Sequence, residues 1–203
     1  VTRPELYNVQ ARAIIEAGIQ CKREGLDVKP EIMIPLIIGA KELLFIKKNL
    51  ITEIEKVFEE QGMRIDYKLG TMMETPRACL LADEIGAEVD FFSFGTNDLT
   101  QTTMGLSRDD SVKFIDDYHT HGIFKLEPFA SIDVRGVGKL VKLGATLGRE
   151  ANPNLEIGIC GEHGGDPKSI DFFEKTGLDY VSCSPFRVLV AIVAAAQSHI
   201  RNK

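Results

Sequence analysis

No run of apolar residues in this chain approaches the ~20 needed to cross a bilayer, so a membrane-spanning role is excluded from the reading. Basic charge is also short: 24 Lys and Arg against 30 Asp and Glu give a formal charge of −6. A general nucleic-acid binder needs a basic face, and this composition does not supply one. The four cysteines, Cys21, Cys79, Cys160 and Cys183, form no C-x-x-C pair. They are too few and too scattered for a zinc site or a disulfide framework, and they read as reduced thiols. The opening Val-Thr-Arg-Pro-Glu-Leu-Tyr has no basic region, no apolar region and no Met. It reads as the inside of a longer chain rather than a signal or transit peptide. A cytoplasmic site is expected, with a plastid or other organelle open if a targeting segment lies upstream. Low-complexity segments and internal repeats are absent as well.

What is present is 44% hydrophobic and 27% charged, ordinary for one globular domain. Short apolar runs alternate with longer stretches of helical spacing. The strand candidates are 30–37, 67–73, 89–94, 156–160 and 180–183, each nearly continuous in apolar residues, as when both faces of a parallel sheet are covered. Leu6, Val9, Ala13 and Ala17 recur at helical spacing up to Gly25, and Leu43, Ile46, Leu50, Ile54 and Val57 do so up to Gly62. Residues 133–148 read as a further helix, and Val188, Leu189, Ile192, Val193 and Ala196 mark the last. Thr75-Pro76, Asp166-Pro167 and Ser184-Pro185 each read as a helix cap followed by proline.

Strand, cap, proline, helix is the order of a βα unit, and no hairpin signal interrupts it. No G-x-G-x-x-G follows a strand, so a dinucleotide fold is unsupported. The polar residues that stand out lie at strand ends, where a (β/α)8 barrel builds its active face. With about five of the eight strands such a barrel requires, the chain reads as α/β, the C-terminal part of a TIM barrel. Residues 99–132 form a connection much longer than the usual βα loop, with Phe114 and Tyr118 on a short helix; a lid, a subunit contact and a plain surface insertion all fit it.

Three constellations can carry chemistry. In Gly70-Thr-Met-Met-Glu-Thr-Pro-Arg77, Glu74 ends an apolar strand; a plain ion pair with Arg77 is the equal alternative. In Phe91-Phe-Ser-Phe-Gly-Thr-Asn-Asp-Leu-Thr-Gln101, Gly95 admits a ligand close to the backbone, Thr96 and Asn97 can donate hydrogen bonds, and Asp98 can bind a cation; a simple turn at Asn97-Asp98 is the alternative. Glu74 and Asp98 end successive strands, so their carboxylates should converge. Two carboxylates plus water and substrate oxygens suit Mg²⁺. In Gly158-Ile-Cys-Gly-Glu-His-Gly-Gly-Asp-Pro167, Cys160 ends its strand beside a glycine-rich loop, a placement that favours a catalytic acid or nucleophile. His163 is read as a loop hydrogen-bonder in preference to a base, and Asp166 as a cap.

These motifs, with Asp179-Tyr-Val-Ser-Cys-Ser-Pro-Phe-Arg187, resemble the pyruvate, phosphate dikinase family over essentially the whole chain. The resemblance implies that residues 1–203 are the C-terminal portion of a barrel domain binding phosphoenolpyruvate or pyruvate. The nucleotide-binding and phosphohistidine domains would be absent from it, and the full-length form would be a homodimer. Glu74 and Asp98 would hold Mg²⁺, Gly95, Thr96 and Asn97 would position the substrate along with them, and Cys160 would protonate the methylene carbon of enolpyruvate. Met73 and Thr75 depart from the branched apolar residues expected at those positions. Phosphoenolpyruvate synthase and enzyme I of the sugar phosphotransferase system are the nearest alternatives. A truncated, non-catalytic interaction module and a Mg²⁺-dependent pyruvate aldolase are the others.

Overall fold

Five strands lie side by side, all parallel, in the order in which the chain makes them. They are β1 (Glu31–Ile34), β2 (Lys68–Met73), β3 (Phe91–Gly95), β4 (Glu156–Cys160) and β5 (Tyr180–Val181). This computed structural model describes residues 1–202. Helices connect the strands: α1 (Pro4–Arg23) precedes β1, α2 (Ala40–Gln61) follows it, and α3 (Pro76–Leu80) and α4 (Ala82–Gly86) follow β2. After β3 come α5 (Thr96–Met104), α6 (Arg108–Ser111), α7 (Ile115–Thr120) and α8 (Val137–Ala151). A 3₁₀ turn (Glu162–Gly165) and α9 (Pro167–Thr176) follow β4, and α10 (Val188–Arg201) follows β5. Sequential parallel strands with helical crossovers are the layout of a TIM barrel. The sheet here stays open, with β1 and β5 as its edges. Among the described residues no helix is long and apolar enough to cross a membrane.

Alternation along the strands divides the sheet into two faces. Ile32, Ile34, Leu69, Met73, Phe92, Phe94, Ile157 and Ile159 pack under the helices as the hydrophobic core. The stripe Leu43, Ile46, Leu50, Ile54 and Val57 of α2 is buried there, as its spacing predicts. The opposite face carries Lys68, Gly70 and Met72 on β2, Phe91, Ser93 and Gly95 on β3, and Glu156, Gly158 and Cys160 on β4. Its N-terminal end carries an ion-pair cluster: Lys68 Nζ lies 3.1 Å from Glu31 and 2.5 Å from Glu156.

Local chemistry accounts for the points at which the sequence reading holds and those at which it must be corrected. The run 30–37 is strand only to Ile34, because Pro35 lacks an N–H and Leu36 adopts a left-handed backbone (φ 53°) that turns the chain. Thr75 caps α3 as the Thr75-Pro76 pair predicts, accepting from the Ala78 N–H at 3.2 Å. Asp166 caps α9, accepting from the Ser169 N–H at 2.9 Å. Ser184 caps nothing with its side chain and opens a 3₁₀ turn instead.

On α1 the expected stripe is the wrong one. Leu6 and Val9 are exposed, and the helix buries Ala11, Ile15, Gly18 and Ile19. Two isoleucines anchor this face, and Gly18 lets it approach closely: a Cβ on Gly18 would sit 2.6 Å from Ile65. Likewise α10 packs on α9 through Ala191, Ala194 and Ser198, leaving Leu189, Ile192 and Val193 in solvent.

Candidate active site

The strand register brings the three constellations together. Met73 pairs with Phe94, which pairs with Ile159; Gly95 pairs with Cys160. One residue beyond Met73, Glu74 falls level with Gly95 and Cys160, so the three occupy one row at the C-terminal end of the sheet. Gly95 is the gap between the other two. A Cβ there would lie 2.7 Å from Glu74 Oε2 and 2.7 Å from Met72 Sδ.

Glu74 is only 4% exposed. Its Oε1 accepts from the Leu36 N–H at 2.7 Å, which gives the left-handed turn at Leu36 a purpose. Arg77 turns away and donates to the Ile38 carbonyl, so the ion-pair alternative for Glu74 is not what the structure holds. Burial pushes the Glu74 carboxyl above the usual carboxylate range, the Leu36 N–H partly offsets this, and the neighbouring Asp98 adds to it. Asp98 lies in the first turn of α5, with Gln101 Nε2 donating to its Oδ1 at 3.0 Å. Asn97 and Asp98 therefore belong to a helix start and not to a free turn.

Cys160 is half-buried, with Sγ 3.4 Å from Met72 Sδ and 3.8 Å from the Phe94 carbonyl. Burial pushes its thiol upward, the Ser93 side chain pulls it down through a hydrogen bond, and Glu74 and Asp98 raise it again. At neutral pH the group is a thiol, fit to give a proton and poorly suited to act as a thiolate nucleophile. Burial raises the Tyr180 phenol as well, and the Ser93 side chain lowers it again. Ser93, in the middle of a run read only as strand, and Tyr180, read only as the next strand's start, are the contributors that sequence reasoning missed. Strand alternation could have found them, because Met72, Ser93, Gly158 and Tyr180 share one register row directly beneath the first.

The remaining residues frame the mouth. Asn97 Oδ1 accepts from the Glu162 N–H at 3.4 Å, which directs its amide NH₂ the other way, free to donate. Thr96 is fully buried and its hydroxyl is bonded to His163 at 2.7 Å, so any contact of Thr96 with a ligand falls to its backbone N–H. Gly161 has φ 110°, and a Cβ on it would crowd Asn97 at 3.1 Å. Cys79 is buried and pushed up to about 12 by desolvation, an inert thiol. Among the described residues no group of three or more His, Cys, Asp and Glu side chains is placed to hold a metal; Glu74 and Asp98 offer a pair.

Known proteins share this arrangement of sequence. The family model described as "PEP-utilising enzyme, PEP-binding domain" matches residues 1–200. Pyruvate, phosphate dikinase of Clostridium symbiosum is 53% identical over 204 residues, covering 100% of this chain and 23% of the relative. Pyruvate, phosphate dikinase 2 of Zea mays is 57% identical over 198 residues, covering 97% of this chain and 22% of the relative. The chain thus spans about a fifth of the length of the curated relatives it matches. A solved citrate lyase from Burkholderia xenovorans shares the fold at a TM-score of 0.52 and 14% identity, over 81% of this chain and 48% of that one. The match along nearly the whole length, on a parallel βα sheet of the barrel type, establishes that the chain belongs to the family of phosphoenolpyruvate-utilising enzymes, as their PEP-binding domain.

Proposed function

We propose that this chain is the enolpyruvate half of a pyruvate, phosphate dikinase site, serving an enzyme that interconverts ATP, phosphate and pyruvate with AMP, diphosphate and phosphoenolpyruvate. The observation that carries this reading is the single row of Glu74, Gly95 and Cys160, with Asp98 beside Glu74. Two adjacent carboxylates, one of them raised by burial first and by its neighbour next, are a donor set that a divalent cation would relieve. Glu74 and Asp98 would hold Mg²⁺, which keeps part of its hydration and accepts few protein ligands. When bound, it would draw electron density from the oxygens of the keto acid and so favour the enol form.

The chain's own residues do the rest. The Asn97 amide and the first N–H groups of α5, which no side chain caps, face an anionic carboxylate end. Gly95 keeps the floor flat enough for a small planar acid to lie between Glu74 and Cys160. Cys160 Sγ–H gives its proton to the methylene carbon of enolpyruvate, forming the C–H bond of pyruvate, and the thiolate takes a methyl proton back in the other direction. A cation held by Glu74 and Asp98 would offset the upward push that these carboxylates add to burial at the Cys160 thiol.

The phosphoryl carrier, a phosphohistidine domain, would come from elsewhere in a longer protein, together with nucleotide binding and a homodimer contact. Alone, the chain is expected to bind Mg²⁺ and pyruvate but not to turn over ATP. The test is exchange of pyruvate methyl hydrogens in D₂O, followed by proton NMR in the full-length protein with Mg²⁺. Wild type should exchange and Cys160→Ala should lose the exchange by about 10²–10⁴-fold. Exchange that survives Cys160→Ala would overturn the role of the thiol.

A further inference from the structure

His163 is fully buried in the turn after β4, and both of its ring nitrogens are engaged. Nε2 lies 2.9 Å from the Pro128 carbonyl, which can only accept, so Nε2 carries the hydrogen. Burial lowers the imidazole's affinity for a second proton, and the ring is neutral. Nδ1 therefore presents a lone pair, and the Thr96 hydroxyl 2.7 Å away must donate to it. That hydroxyl has a second acceptor in reach, the Cys160 carbonyl at 3.3 Å. It has one hydrogen, and the ring takes it. Thr96 is also the first residue of α5, directly ahead of Asn97 and Asp98.

We infer that His163 is a positioning residue: its Nδ1 holds the Thr96 hydroxyl and thereby fixes the start of α5, with Asn97 and Asp98, against the end of β4 that carries Cys160. The proton donor and the substrate-orienting groups sit on different elements, and this ring sets the distance between them. The packing leaves little slack, since a Cβ on Gly161 would lie 3.3 Å from Thr96 Oγ1. Without the Nδ1 acceptor the Thr96 hydrogen swings to the Cys160 carbonyl, and the two elements shift against each other. The chemistry would then suffer more than the binding. The inference rests on the reading of Cys160 as the proton donor.

Two substitutions separate the two ends of the ring. His163→Asn places an amide oxygen near the Nδ1 position and keeps the acceptor for Thr96, while giving up Pro128. His163→Gln keeps a donor toward Pro128 and leaves Thr96 without its acceptor. Thr96→Val removes the same contact from its other end and serves if the glutamine variant does not fold. Each is assayed in the full-length protein with Mg²⁺ by methyl hydrogen exchange of pyruvate, with melting curves to confirm folding. We expect the asparagine variant to stay within a few-fold of wild type. The glutamine and valine variants should lose about ten- to a hundredfold in the exchange rate, with a smaller change in the pyruvate KM. Equal loss in the asparagine and glutamine variants, or retention by glutamine and loss by asparagine, would overturn the inference and leave the reading of the site intact. Failure of the site reading shows separately, as exchange that persists in Cys160→Ala, and it would remove this inference too.

Discussion

Glu74 concentrates the electrostatic cost of the site in one side chain. Its folded-state pKa is raised, by burial first and by Asp98 next, so the folded chain keeps this proton to higher pH than the unfolded chain does. The unfolded state then binds fewer protons across the interval between the ordinary and the raised value, and stability falls as pH rises through it. Above that interval the metal-free fold carries the full cost of a buried charge. A cation needs the carboxylate form, so its stabilising effect grows over the same interval. Added Mg²⁺ should therefore raise the melting temperature at neutral pH and do little on the acid side. At about a hundred times its Kd the gain is about 2.7 kcal/mol, which is roughly 5–10 °C for a chain of this size. Glu74→Gln should raise the metal-free melting temperature and abolish the Mg²⁺ response. Scanning calorimetry at two pH values, with and without Mg²⁺, checks both; a response that persists in Glu74→Gln places the cation elsewhere. The sequence already held Glu74, Asp98 and Cys160 as candidates, because each ends an apolar run. It did not hold Leu36 as the partner of Glu74, because nothing in Pro-Leu-Ile-Ile announces a left-handed residue whose N–H serves a strand two elements away.

Elements were legible in proportion to how far their own side chains do the packing. The helix α2 buries its large aliphatic stripe and was fully readable. The helix α8 is harder, because Gly144 and Gly148 dilute its pattern and lower its intrinsic propensity. These glycines are there for the sheet: a Cβ on Gly148 would lie 2.6 Å from the Phe92 ring and 2.9 Å from Leu155, and one on Gly144 would lie 3.1 Å from Phe94. The helix rides low on two phenylalanines. Gly148→Ala consequently sets about 1 kcal/mol of improved helix propensity against ~1–3 kcal/mol of overpacking around a fully buried ring. Overpacking should prevail by about 1 kcal/mol, measured as a lower urea midpoint at unchanged slope. Phe92→Leu should cost stability alone but recover part of the loss when combined with Gly148→Ala. Additive losses would show that the ring does not limit the helix approach. The helix α5 went unread for a different reason: Thr96-Asn97-Asp98 has the composition of a turn, yet the helix starts at Thr96, directly after the last paired residue of β3, Gly95.

At the scale of the whole molecule the misread helices are the informative ones. The two helices whose expected apolar stripe faces outward lie toward the open edges of the sheet: α1 exposes Leu6 and Val9 near β1, and α10 exposes Leu189, Ile192 and Val193 beyond β5. A pattern reader assigns such residues to the core, and in a closed barrel that assignment would have been sound. Here the sheet stops at five strands, and the faces that further strands and helices would cover meet water instead. An open parallel edge also leaves backbone N–H and C=O groups along β1 and β5 ready to pair with another chain. Contiguous exposed apolar surface of this kind drives association. The isolated chain should therefore self-associate in a concentration-dependent way, seen as a rising weight-average mass in sedimentation equilibrium. Replacing Leu189 and Ile192 by Glu and Lys should shift the distribution toward monomer with little effect on the melting temperature, since both side chains are already largely exposed, at 77% and 61%. An unsubstituted chain that stays monomeric at all concentrations would show that water is an adequate partner for these faces. Association undiminished by the two substitutions would instead assign the contact to the strand edges, where backbone pairing needs no particular side chain.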